Sequence, residues 1–296
     1  MSDHGRTEDG LHLSPDGRPV KVVSLLSDYG LADGFPGALQ CVIRSRLPTV
    51  PIIDITHEIA PCDVRAGSLA LLRAAPFLPP GVVLAVVDPG VGTPRRGIAV
   101  QARDADLCFV GPDNGLLAPA ITALGGARWA VELQDRGYWL AAPGPTFAGR
   151  DIFAPAAAHL AGGGGPEQLG ARLDPDDLVQ LPAPRCARGA DGSCQAEVTW
   201  IDRFGNVQLA AGGADLPGGG RVLASLLSQG GLVASAEHVA RTVTAFGELP
   251  PGQLGILVDS YGQLALVLNR ASAAALLGAR EGDLVILRQA ADLLQA

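Results

Sequence analysis

Residues 81–96 read GVVLAVVDPGVGTPRR, and the first seven carry no polar side chain before Asp88 and a glycine- and proline-rich turn close the run. Valine occupies positions 82, 83, 86 and 87. A β-branched apolar run of this length, without alternation, reads as a strand covered on both faces, which is the habit of a parallel sheet between two helical layers. The same texture recurs on either side, in VKVVSLLSD (20–28), VPIIDITH (50–57), GIAVQA (97–102), LCFVGPD (107–113) and ARWAVEL (127–133). Segments of helical composition intervene at 34–46, 63–77, 115–124 and 150–161. Alternation of strands and helices predicts an α/β domain whose mostly parallel sheet is flanked by helices.

The texture changes at AGGGGPEQLGARLDPDDLVQLPAPRCARGADG (161–192), a run of Gly, Pro and Asp. Beyond it, QAEVTWID (195–202), NVQLA (206–210), RVLASLL (221–227), LVASAEHVARTV (232–243), LGILVDS (254–260), LALVLN (264–269) and LVILRQ (284–289) read as strands joined by short turns. A single short helix is expected near 271–278. The expected organisation is a polar, disordered tail at 1–19, an α/β domain at 20–165, a linker at 166–193, and a smaller, mainly antiparallel β domain at 194–296.

Composition narrows the function classes. The net charge is −8 and Lys21 is the only lysine, so the basic surface that non-specific nucleic-acid binding requires is not expected. No stretch of about 18 apolar residues predicts a membrane span. The polar start MSDHGRTEDG lacks an apolar signal core, which points to the cytoplasm. Five scattered cysteines (41, 62, 108, 186 and 194) without a CxxC pair fit reduced thiols better than a disulfide framework or a zinc site. His57 and His159 show no paired metal-ligand spacing and read as satisfied structural histidines. The glycine-rich turn after Asp88 has neither the Lys-Ser/Thr of a phosphate loop nor a GxGxxG pattern, and no GxSxG occurs. Neither a metal nor a cofactor is expected.

Three predicted strands end in an acid followed by a turn: Asp28, Asp88 and Asp113. Open α/β sheets bind ligands beyond the carboxyl ends of their strands, so the three acids are expected to share one crevice. Each alone is better explained as turn chemistry, and it is their joint placement that favours a crevice. Asp88 and Arg95, seven residues apart across the turn, can fold back into an ion pair that orients a water or an anion, or that merely holds the loop closed. TFAGRDIFAP (146–155) reads as a helix start capped by Thr146 or a neighbour, where a helix N-terminus attracts negative charge. In the second domain, Asp202, Phe204 and Asn206 share one turn and can charge-match, stack on and hydrogen-bond a heteroaromatic cation. Phe246 offers a second stacking face or a core residue, and Ser260-Tyr261 a carboxylate-binding hydroxyl.

Together, SDYGLADGF, DITHEIAPCDVRAG, DPGVGTPRR, GPDNGLL, TFAGRDIFAP, IDRFGN and DSYG, in this order, closely resemble the S-adenosyl-L-methionine (SAM) hydroxide adenosyltransferases, the relatives of fluorinase and chlorinase. The resemblance implies hydrolysis of SAM to adenosine and methionine by in-line attack of water on ribose C5′. It also implies a homotrimer with each ligand held between neighbouring subunits. Carried over by position, Asp28 holds the ribose hydroxyls, Cys62 stands where fluorinase has a ribose-stacking tryptophan, Phe204, Asn206 and Phe246 hold adenine beside the backbone of Arg270-Ala271, and Asp202 with Ser260-Tyr261 meets the methionine end. Asp88 and Arg95 mark the water-using branch, since the halogenating enzymes carry tyrosine at the position of Asp88. That branch completes an Asp–Arg–His set, whereas this chain has Ala148 between Phe147 and Gly149 in the nucleophile pocket. The loss predicts slower turnover, and the enlarged pocket leaves a chlorinase-like use of another small anion, or a catalytically weak SAM- or adenosine-binding protein, as alternatives.

Overall fold

A computed structural model describes residues 21–227 and 237–290. The expected tail at 1–19 and the 232–236 end of one expected strand lie outside the described residues. Two compact units divide the chain, the first running to Leu181 and the second starting at Pro182.

The first unit runs β1 (Val22–Ser27), α1 (Phe35–Arg46), β2 (Ile52–Thr56), α2 (Val64–Ala74), β3 (Gly81–Val86), β4 (Gly97–Ala102), β5 (Leu107–Pro112), α3 (Ala118–Ala123), β6 (Ala127–Glu132), α4 (Ala154–Ala161) and β7 (Arg172–Leu173). Its seven strands lie in the order β2-β1-β3-β5-β4-β6-β7. The β1–β2, β1–β3 and β3–β5 pairs are parallel. From β5 outward the pairs are antiparallel, because only residues 103–106 join β4 to β5 and so short a link makes a hairpin, not a crossover. Val23, Leu25, Val82, Leu84 and Val86 pack under α1 and α4. Val83, Ala85 and Val87 are equally buried on the other face. There Gly67 of α2 sits so close to Val87 and Leu116 that a Cβ would crowd both. Burial on both faces is why the strands of this half read as unbroken apolar runs.

The chain goes from β1 out to β2 on one side and returns to β3 on the other. Such a switch opens a crevice beyond the carboxyl ends of the two central strands. Within the stretch expected as a linker, β7 pairs with β6. Val179, further along, donates its N–H to Asp113 at 2.9 Å. Both are too short or irregular to leave a periodic trace in the sequence.

The second unit runs β8 (Cys186–Arg188), β9 (Cys194–Ile201), β10 (Val207–Gly212), β11 (Arg221–Leu227), β12 (His238–Thr242), β13 (Leu254–Val258), β14 (Gln263–Leu268), α5 (Ala273–Leu277) and β15 (Leu284–Gln289). Its sheet, β10-β14-β13-β12-β11-β15-β9-β8, closes on itself through a further β9–β10 pairing. The result is a barrel around Val198, Leu209, Val222, Ile256, Leu266 and Leu287. All its pairs are antiparallel except β12–β13, whose connection is long enough to bring the chain back in the same direction. Alternation along the strands shows which face is inward, but closure depends on the β9–β10 register and is not written in any one strand. Ser272 caps α5 by accepting the Ala275 N–H at 3.0 Å. All five cysteines are free thiols.

Candidate active site

In β1 and β3, Ser27 stands opposite Val86, so Asp28 and Asp88 leave the sheet at neighbouring positions. Beyond them lies a cavity of about 440 Å³ whose lining includes Asp28, Tyr29, Asp33, His57, Glu58 and Asp88. The Asp88 loop is a pair of tight turns. The Asp88 carbonyl accepts the Val91 N–H, the Gly90 carbonyl accepts the Thr93 N–H, and Gly92 takes φ +79°. This folding returns Arg95 to Asp88: Nε donates to Oδ1 at 2.8 Å and a terminal guanidinium nitrogen donates to Oδ2. The pair is largely withdrawn from solvent, with side-chain exposures of 15% for Arg95 and 5% for Asp88. The guanidinium also lies over the Phe153 ring, 5.0 Å from its centroid. Bidentate geometry fixes both groups and neutralises the carboxylate, while Asp88 still faces the cavity.

Asp28 accepts the Cys62 N–H at 2.8 Å. Cys62 holds φ +65°, a left-handed conformation that a cysteine adopts at some energetic cost, so the loop after β2 is bent to meet Asp28 through its backbone. The Cys62 side chain itself is exposed. His57 is satisfied, as its sequence context suggested: Nδ1 pairs with Ser27 Oγ at 2.7 Å and Nε2 with Asp54 Oδ1 at 3.1 Å. It also lines the cavity, which was not foreseen. Glu58, just past the end of β2, lies within reach of the rule that found Asp28, whereas Asp33, further along the loop after β1, does not.

Asp113 departs from the expectation of three acids in one crevice. It is buried against Arg96, which donates Nε to Oδ2 at 2.8 Å, and its other oxygen takes the Val179 N–H. Its charge is spent on holding the 177–179 segment to the sheet. Removing one partner of a buried ion pair costs roughly 3–5 kcal/mol. Asp113→Ala is therefore expected to lower the thermal unfolding midpoint steeply while the folded fraction keeps its turnover per active site, measured at low temperature. A specific loss of turnover at unchanged stability would return Asp113 to the site.

The helix start also differs. Residues Gly149–Phe153 form a π-helical turn leading into α4, and no side chain caps it; Thr146 lines the cavity instead. Single π turns widen a helix by one residue and are frequent at functional sites. Ala148 is buried in the core. Phe147 meets Tyr29 and Phe35 edge-on at centroid distances of 5.5 and 5.2 Å.

In the second unit a cavity of about 450 Å³ is lined by Phe204, Asn206, Phe246, Asn269, Arg270 and Ala271, among others. Asp202 does not line it but builds it. One carboxylate oxygen accepts the N–H groups of Phe204 and Asn206, each at 2.9 Å, and the other accepts Asn206 Nδ2 at 2.8 Å. Gly205, at φ +81°, lies so close to Ser272 that no side chain fits there. Phe204 and Phe246 are exposed, at 70% and 46%, which removes the core reading of Phe246. Arg270 holds φ +58°, turning the chain out of β14. Ser260 and Tyr261 lie in the β13–β14 turn, at the other end of β14 from Leu268, and do not line this cavity. Among the described residues no group of three or more His, Cys, Asp or Glu could hold a metal ion, and no helix is long and apolar enough to cross a membrane.

The family model for the SAM hydroxide adenosyltransferase N-terminal domain matches residues 23–170, and that for the C-terminal domain matches residues 196–286. The chain belongs to the SAM hydroxide adenosyltransferase family. The chain is 48% identical to an (R)-S-adenosyl-L-methionine hydrolase of Salinispora tropica, over 90% of this chain and 97% of that protein. It is 38% identical to a Thermus thermophilus protein of the same name, over 89% and 98%. A fluorinase of an Actinoplanes species is more distant, 28% identical over 88% and 94%. Among solved structures, an uncharacterised conserved protein of Thermotoga maritima has a TM-score of 0.81 at 34% identity, covering 90% of this adenosyltransferase and all of that chain.

Proposed function

We propose that the protein hydrolyses SAM to adenosine and L-methionine, with the (R)-sulfonium form that names its relatives as the preferred substrate. The observation that carries the reading is the buried Asp88–Arg95 pair, whose Asp88 lines the same cavity as Asp28. Asp28 takes the ribose hydroxyls. A water held beside Arg95 and Asp88 attacks C5′ in line with the sulfonium; the new C5′–O bond forms as the C5′–S bond breaks, methionine leaves as a neutral thioether, and the water's proton passes to Asp88 or to solvent. An activated sulfonium needs no metal or redox cofactor for this substitution. Binding the two reactants in line lowers the barrier by removing their freedom in advance. The acids Asp28, Asp33, Glu58 and Asp88 around the cavity suit a substrate carrying sulfonium and ammonium charges.

Adenine stacks on Phe204 and Phe246, with Asn206 and the backbone at Arg270-Ala271 at its polar edge. The methionine end runs toward Ser260-Tyr261. Substrate is shared in a homotrimer, each complete site taking the first unit of one subunit and the second unit of the next. Asp88 favours water over a halide at the nucleophile position, since its carboxylate can accept the proton that water gives up and a halide has none to give.

Incubation of the pure protein with each SAM epimer, with and without chloride, tests this reading. The expected result is adenosine from the (R) form at least about tenfold faster than from the (S) form, with no 5′-chloro product; tenfold corresponds to about 1.4 kcal/mol of discrimination. Binding of SAM without adenosine above the spontaneous rate overturns hydrolysis. A chloride-dependent 5′-chloro-adenosine overturns the choice of nucleophile.

A further inference from the structure

Tyr29 is the residue of the first cavity that the reading above leaves without work. It follows Asp28 at the carboxyl end of β1 and lines the cavity with Asp88. Its ring is held edge-on by Phe35 and Phe147, at centroid distances of 5.7 and 5.5 Å, so the hydroxyl has little freedom of direction. That hydroxyl reaches the first residue of the π turn: a Cβ on Gly149 would collide with the phenolic oxygen. Gly149 adjoins Ala148, which is buried in the core. Among the described residues the hydroxyl has no hydrogen-bond partner; only the Tyr29 backbone is engaged, donating its N–H to Ser27 Oγ at 3.3 Å. A largely buried phenol ordinarily finds a partner for its O–H. Here the residue lines the cavity that also receives Asp88.

We infer that the Tyr29 hydroxyl donates a hydrogen bond to the attacking water, fixing it between Asp88 and ribose C5′. The assignment rests on the hydrolysis reading above. Tyr29 is not the base. Burial, with Asp28 and Asp88 nearby, pushes its pKa well above the ordinary tyrosine value, only partly opposed by Arg95, so it stays a neutral donor throughout the working pH range. A donor can orient the water so that its second hydrogen meets Asp88, which remains the acceptor. Aligning the nucleophile lowers kcat's barrier and leaves ground-state binding of SAM largely alone.

The inference also explains why position 149 must be glycine in this chain. Any side chain there displaces the phenol. Gly149→Ala and Tyr29→Phe should therefore damage the same step.

The experiment is steady-state hydrolysis of (R)-SAM by the full-length chain carrying Tyr29→Phe, Gly149→Ala or both. Adenosine affinity and thermal unfolding are measured on the same samples. Removing one oriented donor at a reacting centre typically costs 10²–10³-fold. A neutral phenol beside a water is expected at the lower end, so Tyr29→Phe should lose about 10- to 100-fold in kcat with KM, adenosine affinity and the unfolding midpoint unchanged. The double variant should fall no further than the worse single one. Unchanged kcat in Tyr29→Phe, or equal loss of kcat, affinity and stability, overturns the assignment and makes Tyr29 a packing residue. Multiplicative losses in the double variant overturn the link to Gly149. A wild-type chain that forms no adenosine overturns hydrolysis itself, and the Tyr29 role with it.

Discussion

Asp88→Ala should abolish adenosine formation from SAM while adenosine still binds with nearly its original affinity. The carboxylate faces the cavity from the end of β3, and its loop makes no contribution to the second cavity, where the adenine contacts are proposed. Two effects disappear together. Proton acceptance is worth about 10²–10⁴-fold in comparable reactions, and the substitution also releases Arg95 from its bidentate partner, so the cation no longer points where the nucleophile must sit. A loss of at least about 10³-fold in kcat is expected, read by single-turnover chromatography, with adenosine affinity read by calorimetry. Asp88→Asn separates the two effects. An amide keeps one acceptor for the guanidinium but cannot take a proton, so its turnover should stay near the alanine level while its stability returns toward wild type. If Asp88→Asn instead keeps most of the turnover, the proton goes elsewhere and Asp88 only holds the loop.

How much of this was legible in the sequence can be judged residue by residue. Buried parallel strands announce themselves because both faces need apolar residues, and β1, β3 and β5 stand where such runs were read. The strand-end acids Asp28 and Asp88 were visible for the same reason: the turn that ends a buried strand is where polarity returns. Asp113 obeys the same rule yet serves packing, because what decides its role is the partner brought by residues 177–179, more than sixty positions away. Nothing in the motif SDYG by itself gives Tyr29 a role. Its position against Gly149 depends on a π turn 120 residues later, and nothing in TFAGRDIFAP distinguishes a π turn from an α-helical one. Ser260 and Tyr261 lie in the turn where they were expected, at the other end of β14 from the second cavity, so their proposed contact with the methionine end rests on the resemblance alone. Barrel closure was likewise invisible, since each strand's alternation is the same in an open sheet and a closed one.

Asp202→Ala should have the opposite kinetic signature to Asp88→Ala. Asp202 lines neither cavity, but its two oxygens hold two lining residues of the second, through the N–H groups of Phe204 and Asn206 and the Asn206 side-chain amide. Without them the β9–β10 turn keeps its glycine at 205 and loses the three bonds that fix the aromatic face and the amide relative to each other. Stacking of a base on an aromatic side chain is worth about 1–3 kcal/mol by alanine substitution, and loss of a bond to a charged acceptor about 1.5–3 kcal/mol. Part of each survives in a mobile turn, so the expected change is a rise in KM of about 10- to 100-fold. The Asp88–Arg95 pair lies in the other unit, so kcat at saturating SAM should change by no more than about twofold. Calorimetric titration with adenosine, which carries the base without the sulfonium, should show the same loss as KM. If adenosine binding is unchanged while KM rises, Asp202 meets the methionine end directly, as the family resemblance implies, and its hydrogen bonds to the turn are rearranged when substrate arrives. If kcat falls with KM, the turn does more than bind: remote contacts with adenine are then being used to align C5′ with the water, and binding energy from the second cavity is spent at the first.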